Sequence, residues 1–510
     1  MPDKEYLREL ATGEFAQADF VAVRSEGHLG AASAASAHVV ILGGGITGLS
    51  AAWHLQQTAR NGLPITYTVI EQSDHWGGKM RSEVIERDGA PAWVLEAGPD
   101  GLLTRKPWAL ALARDLRLDE HFLFVKRENS RTFVLRRGRP EPLPAGLQLL
   151  APTQWRPFLR SPLFSPWGKA RIALDMLVPP RRTTDDESLA SFVRRRFGDE
   201  ALRRLAEPML AGVYNAEPER QSILATFPQF PALERAHGSV IRGLRAASRQ
   251  QPSETPALLS FDAGNQTLVD ALVARLTGDM RLDTTVCSIA RADVGGYELR
   301  LDDGTVVDAN AVILATPANI SASLTHETAP EAAALLAGIR CAGIGAIYLA
   351  YRQSDIAHPL NGTGVVIPPT EGRRIDGITW VSSKWDRRAP PGHALVRVFF
   401  GGPHTRAMLS LDDTRLIAIV REELASILGV QAAPLFTRIF RWPDGYPQYD
   451  VGHLERVAAI EAALPAGMAV AGSSYRGVGV PDCIHQGEQA TAKIVETLKN
   501  RQMAARRLPA

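Results

Sequence analysis

The fold of this chain is decided by residues 38–48, which read His38-Val39-Val40-Ile41-Leu42-Gly43-Gly44-Gly45-Ile46-Thr47-Gly48. The apolar run predicts a buried strand, and the glycines predict a tight turn into a helix. Gly43, Gly45 and Gly48 have G-x-G-x-x-G spacing, which lets backbone N–H groups approach a pyrophosphate and lets the helix pack against the strand. The next predicted strand, residues 65–70, ends in Glu71, where a carboxylate can bind a ribose hydroxyl. We therefore expect a Rossmann-like dinucleotide site, the alternative being a purely structural glycine turn.

The composition argues against several classes of protein. The 510 residues include 57 Lys and Arg against 55 Asp and Glu, a balance that argues against binding to nucleic acid. Cys287, Cys341 and Cys483 are far apart and match neither a disulfide framework nor a zinc site. We therefore expect no metal, and a reducing cytoplasm is the simplest location. The sequence has no run of 18 or more apolar residues, the length that a membrane-spanning helix needs.

Strand-like segments return later in the chain and extend the predicted nucleotide-binding sheet. They are residues 281–289, a hairpin of 297–301 and 305–309 around Asp302-Asp303-Gly304, residues 311–316 and residues 468–472. Helices are predicted from Gly264 to Leu272 and from about Cys483 to Leu498. Two inserts separate these parts of the predicted sheet. Residues 105–255 are interpreted as helices and loops, and residues 320–440 contain strands. Residues 1–37, which end in a Gly, Ala and Ser tract, predict a flexible leader.

A second glycine-containing motif, which follows Glu71, is similar to a motif of a known protein family. Trp76-Gly77-Gly78-Lys79-Met80-Arg81-Ser82 is similar to the G-G-[RK]-x-x-[ST] stretch of flavoproteins in the amine oxidase and porphyrinogen oxidase group, the alternative being an exposed turn. Further motifs closely resemble those of the oxygen-dependent protoporphyrinogen and coproporphyrinogen III oxidases of haem synthesis. These motifs are residues 95–100, 192–200, 207–214, Arg441-Trp442, Pro447-Gln448-Tyr449, Gly452-His453 and residues 477–484.

The resemblance implies an α/β fold with an α+β substrate part. A discontinuous Rossmann-like FAD-binding domain is expected, with an interleaved substrate-binding domain and a helical insert. The implied boundaries are 1–37 for the leader, 38–104, 256–319 and 441–500 for the three parts of the FAD-binding domain, 105–255 for the helical and loop insert, 320–440 for the substrate-binding sheet and 501–510 for a C-terminal tail.

The resemblance also implies non-covalent FAD and assigns the residues that bind it. Glu71 would hold the adenosine ribose, and Val286 would lie at the adenine. Lys79 would neutralise the diphosphate, and a helix starting near Cys483 would point its positive end at flavin O2. Covalent attachment at Cys483 is the alternative to a buried, unreactive thiol. The complete implied cofactor set is Gly43, Gly44, Gly45, Ile46, Thr47, Gly48, Glu71, Gly78, Lys79, Gly98, Pro99, Asp100, Val286, Trp442, Gly479, Val480 and Pro481.

The implied activity is oxidation of a porphyrinogen to a porphyrin in three hydride transfers, with O2 as acceptor and H2O2 as product. Because aromatisation drives this reaction, we nominate no catalytic acid, base or nucleophile. Arg105 and Lys106 are candidates to bind the substrate propionates, the alternative being a solvated charge pair. The motifs at residues 98–100 and 479–482 favour coproporphyrinogen III over protoporphyrinogen IX. The FAD-binding pattern leaves open a flavin amine oxidase or carotenoid desaturase-like enzyme and a non-catalytic tetrapyrrole-binding flavoprotein.

Residues 148–178 combine apolar and basic side chains. The basic ones are Arg156, Arg160, Lys169 and Arg171. Members of the family use this region to shape the substrate cavity and, in some, to sit on a membrane. Peripheral association with the inner face of the cell membrane therefore stands beside an ordinary domain core. The resemblance further implies transient contact with the next enzyme of haem synthesis, and it implies no particular oligomeric state.

Overall fold

The computed structural model describes residues 36–87, 90–126, 129–148, 151–211, 214–247, 256–293 and 295–507. Parallel and antiparallel sheets alternate with helices along this part of the chain, which confirms the predicted α/β fold class. Up to residue 35, the predicted leader lies outside the described residues. No helix in the described ranges is long and apolar enough to cross a membrane.

The strands and helices are numbered here in chain order. The strands are β1 Ala37–Leu42, β2 Ile65–Ile70, β3 Ser82–Arg87, β4 Ala90–Glu96, β5 Leu102–Leu103, β6 Phe122–Phe124, β7 Thr132–Arg136, β8 Arg139–Pro142, β9 Leu147–Gln148, β10 Ala151–Pro152, β11 Leu258–Phe261, β12 Asp279–Arg281, β13 Val286–Arg291, β14 Tyr297–Leu301, β15 Val306–Ala309, β16 Ala311–Leu314, β17 Cys341–Arg352, β18 Gly364–Val366, β19 Gly377–Trp380, β20 His393–Phe400, β21 Phe436–Pro447 and β22 Met468–Val470. The α-helices are α1 Ile46–Arg60, α2 Trp108–Asp115, α3 Trp155–Arg160, α4 Pro166–Ala173, α5 Leu189–Phe197, α6 Asp199–Ala201, α7 Ile223–Thr226, α8 Gln229–His237, α9 Val240–Ala247, α10 Gln266–Val273, α11 Ala318–Thr325, α12 Pro330–Ala337, α13 Val381–Lys384, α14 Asp413–Leu428, α15 His453–Ala463 and α16 Val480–Arg507. A π-helix spans Leu202–Ala211, and short 3-10 helices span Asp119–His121, Leu174–Met176, Gln353–Asp355, Pro369–Glu371 and Arg406–Ser410.

A five-stranded parallel sheet organises the nucleotide-binding part in the order β12-β2-β1-β16-β22. Successive residues of β1 point to opposite faces, and both faces are covered. Val39 and Ile41 pack with α1, α10 and α16, whereas Val40 and Leu42 pack with α11, α12 and α15. Burial on both faces explains why the strands read as continuous apolar runs. The carboxyl ends of β1 and β2 therefore meet at one edge, beside the start of α1.

Two predicted elements have different bounds in the structure. The strand predicted over residues 281–289 is wrong, because it is two strands, β12 in the parallel sheet and β13 in a separate antiparallel sheet. The chain turns between them at Asp283, which has a positive φ of 47°. The last helix starts at Val480 instead of Cys483 and runs to Arg507, so residues 501–507 of the predicted tail are helical. Pro481 suits the first turn because that turn needs no N–H from it.

A seven-stranded sheet in the order β21-β17-β20-β19-β18-β7-β8 forms the second part of the fold. Strands β7 and β8 come from residues 132–142, so the prediction that the first insert contains only helices and loops is wrong. They form a hairpin through Arg137 and Gly138, which have φ of 51° and 74°, as a tight primed turn requires. Only Gly138 signals this turn in the sequence, and arginine at its other position conceals it.

Helix α5 holds the helical insert together through three consecutive arginines. Arg194 pairs with Asp199 and Glu219 at the surface, and Arg195 pairs with Glu187 and Glu234. Arg196 is 0% exposed and donates from Nε to Asp175, which is also 0% exposed, at 2.5 Å. The three arginines therefore form ion pairs with carboxylates of the same insert.

Candidate functional site

The glycine turn leaves an open space in front of the first turn of α1. A Cβ at Gly43 would lie 2.7 Å from the Ala315 carbonyl oxygen, and one at Gly48 would lie 1.9 Å from the Gly43 carbonyl oxygen. A Cβ at Gly45 would meet no atom within 4 Å. No side chain caps α1, whose N-terminal cap residue is Gly45. An uncapped helix N-terminus facing free space fits an anionic group such as a diphosphate.

Glu71 is tied to the glycine turn. The Gly44 N–H donates to Glu71 Oε2 at 2.7 Å, and the Ser73 N–H and hydroxyl donate to Oε1. The predicted carboxylate and the predicted turn are therefore in contact. Val286 lies close by at the start of β13, since the Thr284 N–H donates to the Glu71 carbonyl oxygen. These positions fit the ribose and adenine end of a dinucleotide.

Gly78 and Lys79 pack against the same turn. A Cβ at Gly78 would lie 3.4 Å from the Gly45 Cα, so the second glycine step touches the first. The Lys79 ammonium donates to the Gly445 carbonyl oxygen, and no carboxylate of the described residues lies within 4.0 Å of it. Burial lowers the pKa of Lys79. A buried amine without an acidic partner among these residues fits a bound diphosphate, whose negative charge would favour the ammonium form.

Residues 96–100, which lead from the end of β4 toward β5, are held by side chains from distant parts of the chain. The Gly98 carbonyl oxygen accepts from Arg397 at 2.9 Å, and the Pro99 carbonyl oxygen accepts from Asn265 at 2.8 Å. Asp100 forms an ion pair with Lys384 at 2.8 Å. Burial alone would raise the pKa of Asp100, but Lys384 and Arg397 outweigh it and lower that pKa to about 2. The Asp100 carboxylate thus anchors the segment.

Trp442 fixes the same segment from strand β21. Its indole N–H donates to the Ala97 carbonyl oxygen at 2.9 Å. Gly98 is required here because a Cβ would lie 2.0 Å from the Lys79 carbonyl oxygen. The structure therefore brings Lys79, Gly98 and Trp442 together although 363 residues separate the first from the last.

The start of α16 packs against α1, where the Ser50 hydroxyl donates to the Ile484 carbonyl oxygen. Gly479, Val480 and Pro481 lead into the helix, and a Cβ at Gly479 would lie 2.9 Å from an Asp482 oxygen. Lys106 donates to both oxygens of Asp482 at 2.6 Å. The candidate substrate residue Lys106 is therefore paired within the protein, whereas Arg105 is exposed.

A cavity of about 700 Å³ adjoins this site. Cys341 forms part of its wall and pairs with Pro447 of β21, two residues beyond Gly445, whose carbonyl oxygen accepts from Lys79. Neither Arg105 nor Lys106 lines it. The lining residues are Asn215, Glu217, Arg340, Cys341, Ala342, Gly343, Pro403, Arg406, Leu409, Ser410, Arg441, Pro443 and Gln448.

Sequence reasoning missed the basic side chains of this cavity. Arg340, Arg406 and Arg441 come from the approach to β17, a 3-10 helix and β21. Only Arg441 belongs to a motif recognised in the sequence. Arg340 and Arg406 carry no local signal, because the long-range pairing of β17 with β20 and β21 brings them together.

Residues 46–495 match the family model of flavin containing amine oxidoreductases. The chain belongs to this family. The oxidoreductase is 34% identical over 465 residues to the coproporphyrinogen III oxidase of Bacillus subtilis, covering 89% of this chain and 97% of that protein. It is 29% identical over 490 residues to the chloroplastic protoporphyrinogen oxidase of Nicotiana tabacum, covering 90% and 86% respectively. These relatives confirm the porphyrinogen oxidase resemblance recognised in the motifs.

Solved structures agree with the fold of the oxidoreductase. A crystal structure of a protein from Exiguobacterium sp. 255-15 superposes with a TM-score of 0.80 at 30% identity, covering 91% of this chain and 99% of that one. Cyclohexylamine oxidase from Brevibacterium oxydans has a TM-score of 0.65 at 18% identity, covering 91% and 100%. The second likeness concerns the fold alone.

We expect the cysteines of the oxidoreductase to differ sharply in reactivity. Burial raises the pKa of the Cys483 thiol to about 11, so little of the reactive thiolate exists at neutral pH, whereas Cys287 is exposed. Iodoacetamide should therefore modify Cys287 in the native protein and leave Cys483 unmodified, as read by peptide mass spectrometry. Denaturation in guanidinium chloride, as a control, should make both react. Native labelling of Cys483 at the rate of Cys287 would contradict this expectation.

Proposed function

We propose that this oxidoreductase binds FAD non-covalently and oxidises coproporphyrinogen III to coproporphyrin III in haem synthesis, with O2 as electron acceptor. The observation that carries the proposal is the cavity of about 700 Å³, which is lined by three arginines and adjoins the predicted dinucleotide site. Its volume suits a large organic ligand, and its arginines suit carboxylates. The coproporphyrinogen III oxidases of Bacillus subtilis and Staphylococcus aureus, 34% and 31% identical, support the choice of substrate.

The residues of the predicted dinucleotide site would contact FAD along its length. Glu71 would bind the ribose, Val286 would lie at the adenine, and Gly43–Gly48 with Gly78 and Lys79 would bind the diphosphate. Gly98, Pro99, Asp100 and Trp442 would support one side of the ring system, and Gly479, Val480 and Pro481 would lie on the other. The first turn of α16 would direct its partial positive charge at the flavin O2.

FAD, when bound, supplies a two-electron acceptor. Conversion of a porphyrinogen to a porphyrin removes six electrons and six protons, which three O2 molecules would accept as three H2O2. The chain's own contribution is to bind the macrocycle and place a meso carbon against the flavin. No protein acid or base is required to make the reaction favourable, because the product is aromatic.

The test is a fluorescence assay with each porphyrinogen in turn. Purified holoprotein is mixed aerobically with coproporphyrinogen III or protoporphyrinogen IX, and porphyrin fluorescence and O2 consumption are followed. We expect coproporphyrinogen III to have the higher kcat/KM. A clear advantage for protoporphyrinogen IX would reverse the substrate assignment, and no turnover of either would leave an amine oxidase or a tetrapyrrole carrier as the better interpretation.

An apolar stripe on the helical insert supports peripheral membrane association. Trp167 is 85% exposed and Leu177 is 76% exposed, and Ala170 and Leu174 lie between them at helical spacing. Lys169 donates to the Leu159 carbonyl oxygen at 2.7 Å, which joins α4 to α3, and the Leu159 side chain is 57% exposed. Arg156 and Arg160, exposed on α3, complement anionic headgroups. Apolar side chains bordered by cations suit the surface of an anionic bilayer.

We expect the holoprotein to float with vesicles that contain anionic lipid, more weakly at high salt. A Trp167→Ser, Leu177→Ser double variant should lose most of this binding because it removes the two most exposed apolar side chains. Leu435→Ser is the matched control, since Leu435 is 51% exposed outside the insert. Equal flotation of the double variant and the wild type would overturn the assignment of this stripe.

A further inference from the structure

The three arginines of the cavity differ in how fully their charges are neutralised. Arg340 donates to both oxygens of Asp450, at 2.9 and 2.8 Å. Arg441 donates to Asp413 at 2.7 Å and to the Leu411 carbonyl oxygen at 3.0 Å. Both guanidinium groups thus form close ion pairs within the protein, although Asp450 also pairs with Arg220 and Arg441 Nε has no hydrogen-bond partner among the described residues.

Arg406 is the exception. Its nearest carboxylate is Glu217, at 3.8 Å, and the two side chains are 67% and 42% exposed. A contact at this distance between exposed groups contributes little binding energy and leaves the hydrogen-bonding edge of the guanidinium available. Leu409, one helical turn further along the same 3-10 helix, and Pro403 give the neighbouring cavity wall an apolar surface.

We propose that Arg406 binds a peripheral carboxylate of the substrate and that Glu217 competes with that carboxylate for the same guanidinium. This inference rests on the proposed function and adds a specificity element to it. An arginine can receive a carboxylate through two parallel N–H···O bonds, and the flexible propionate arm of a porphyrinogen is long enough to adapt to it. Glu217 weakens the site in two ways, by engaging Arg406 and by repelling the incoming anion.

The site favours substrates with more carboxylates. Coproporphyrinogen III carries four propionates, whereas protoporphyrinogen IX carries two and has vinyl groups in place of the others. A macrocycle with four arms can reach Arg406 while its remaining arms occupy other polar positions of the cavity. When one of the two propionates of protoporphyrinogen IX binds Arg406, only one other propionate remains to contact the cavity. Arg406 therefore discriminates between the two porphyrinogens.

The test compares Arg406→Gln and Glu217→Gln with the matched control Arg415→Gln, an exposed arginine outside the cavity. We expect Arg406→Gln to raise the KM for coproporphyrinogen III about two- to fivefold, and to raise that for protoporphyrinogen IX less. Glu217→Gln should lower the KM for coproporphyrinogen III, a gain that a merely structural role would not produce. FAD content and kcat should match those of the wild type, and Arg415→Gln should change neither KM.

A separate measurement of porphyrin binding distinguishes this inference from the proposed activity. Coproporphyrin III and protoporphyrin IX are titrated into each holoprotein, and the Kd is read from quenching of protein fluorescence. If the wild type turns over no porphyrinogen, the proposed function fails, while weaker coproporphyrin III binding by Arg406→Gln still supports the carboxylate site. An unchanged KM and Kd in Arg406→Gln, or equal loss for both porphyrins, would overturn the role of Arg406.

Discussion

Replacing Gly45 by valine is expected to give a folded protein that carries no flavin. Gly45 has a φ of −71° and a ψ of 175°, an extended conformation that valine adopts readily. A Cβ there meets no protein atom within 4 Å, so the protein should tolerate the side chain. The same free space is where the diphosphate would lie, and a branched side chain would occupy it. We expect the Kd for FAD to rise by about 100-fold or more.

Equilibrium dialysis with FAD measures the affinity for the flavin, and thermal unfolding of the apoprotein measures the stability of the fold. The apoprotein of Gly45→Val should unfold at the temperature of the wild-type apoprotein. Gly48→Ala is the contrasting control, because its methyl group would lie 1.9 Å from the Gly43 carbonyl oxygen and should destabilise the fold itself. A yellow Gly45→Val protein with full flavin content would refute the assignment of the glycine turn.

The second large effect is expected at the buried pair of Arg196 and Asp175. Arg196→Met removes the cation and leaves the Asp175 carboxylate fully buried, with its remaining bonds to Ser239 and the Ile241 N–H. An uncompensated buried charge of this kind costs about 3–5 kcal/mol. The free energy of unfolding, measured by urea denaturation, should fall by that amount.

The neighbouring arginine supplies a matched control. Arg194→Met removes an exposed side chain from the same helix, where its partners Asp199 and Glu219 are also exposed. Such pairs contribute about 0–1 kcal/mol because water and salt screen them. Equal losses in both variants would mean that burial of the Arg196 pair does not govern its contribution.

The parts of the fold that local patterns govern could be predicted from the sequence. Strands β1, β2, β16 and β22 are apolar runs that end in a glycine, an acid or a turn, and each lies where that pattern indicated. Spacing indicated Glu71 as a ribose-binding carboxylate, and the structure places its side chain against the glycine turn. In these segments the residues that decide the structure are neighbours in the sequence.

The wrong predictions fall where distant pairing overrides local signals. Strand β7 is parallel to β18, more than 200 residues later, and only that partner completes its place in the sheet. Lys106 stays a predicted cation for the substrate, and its pairing with Asp482, 376 residues away, is a contact that no local pattern indicates. Arg406 has no signal in the sequence because its importance comes from its incomplete neutralisation by Glu217, a property of three-dimensional placement.

Contact between the first and last helices of the described fold bears on when the protein can first hold its cofactor during synthesis. The Ser50 hydroxyl donates to the Ile484 carbonyl oxygen, and the Thr491 hydroxyl donates to the Ala51 carbonyl oxygen, so the first helix of the fold needs the last one as its neighbour. At typical ribosomal speeds of 5–20 residues per second, the interval between synthesis of Glu71 and of Val480 is about 20 to 80 s. Throughout that interval the nascent N-terminal segment has its glycine turn but lacks α16. We therefore expect flavin capture to follow synthesis of α16, and a chain truncated before α16 should not retain flavin.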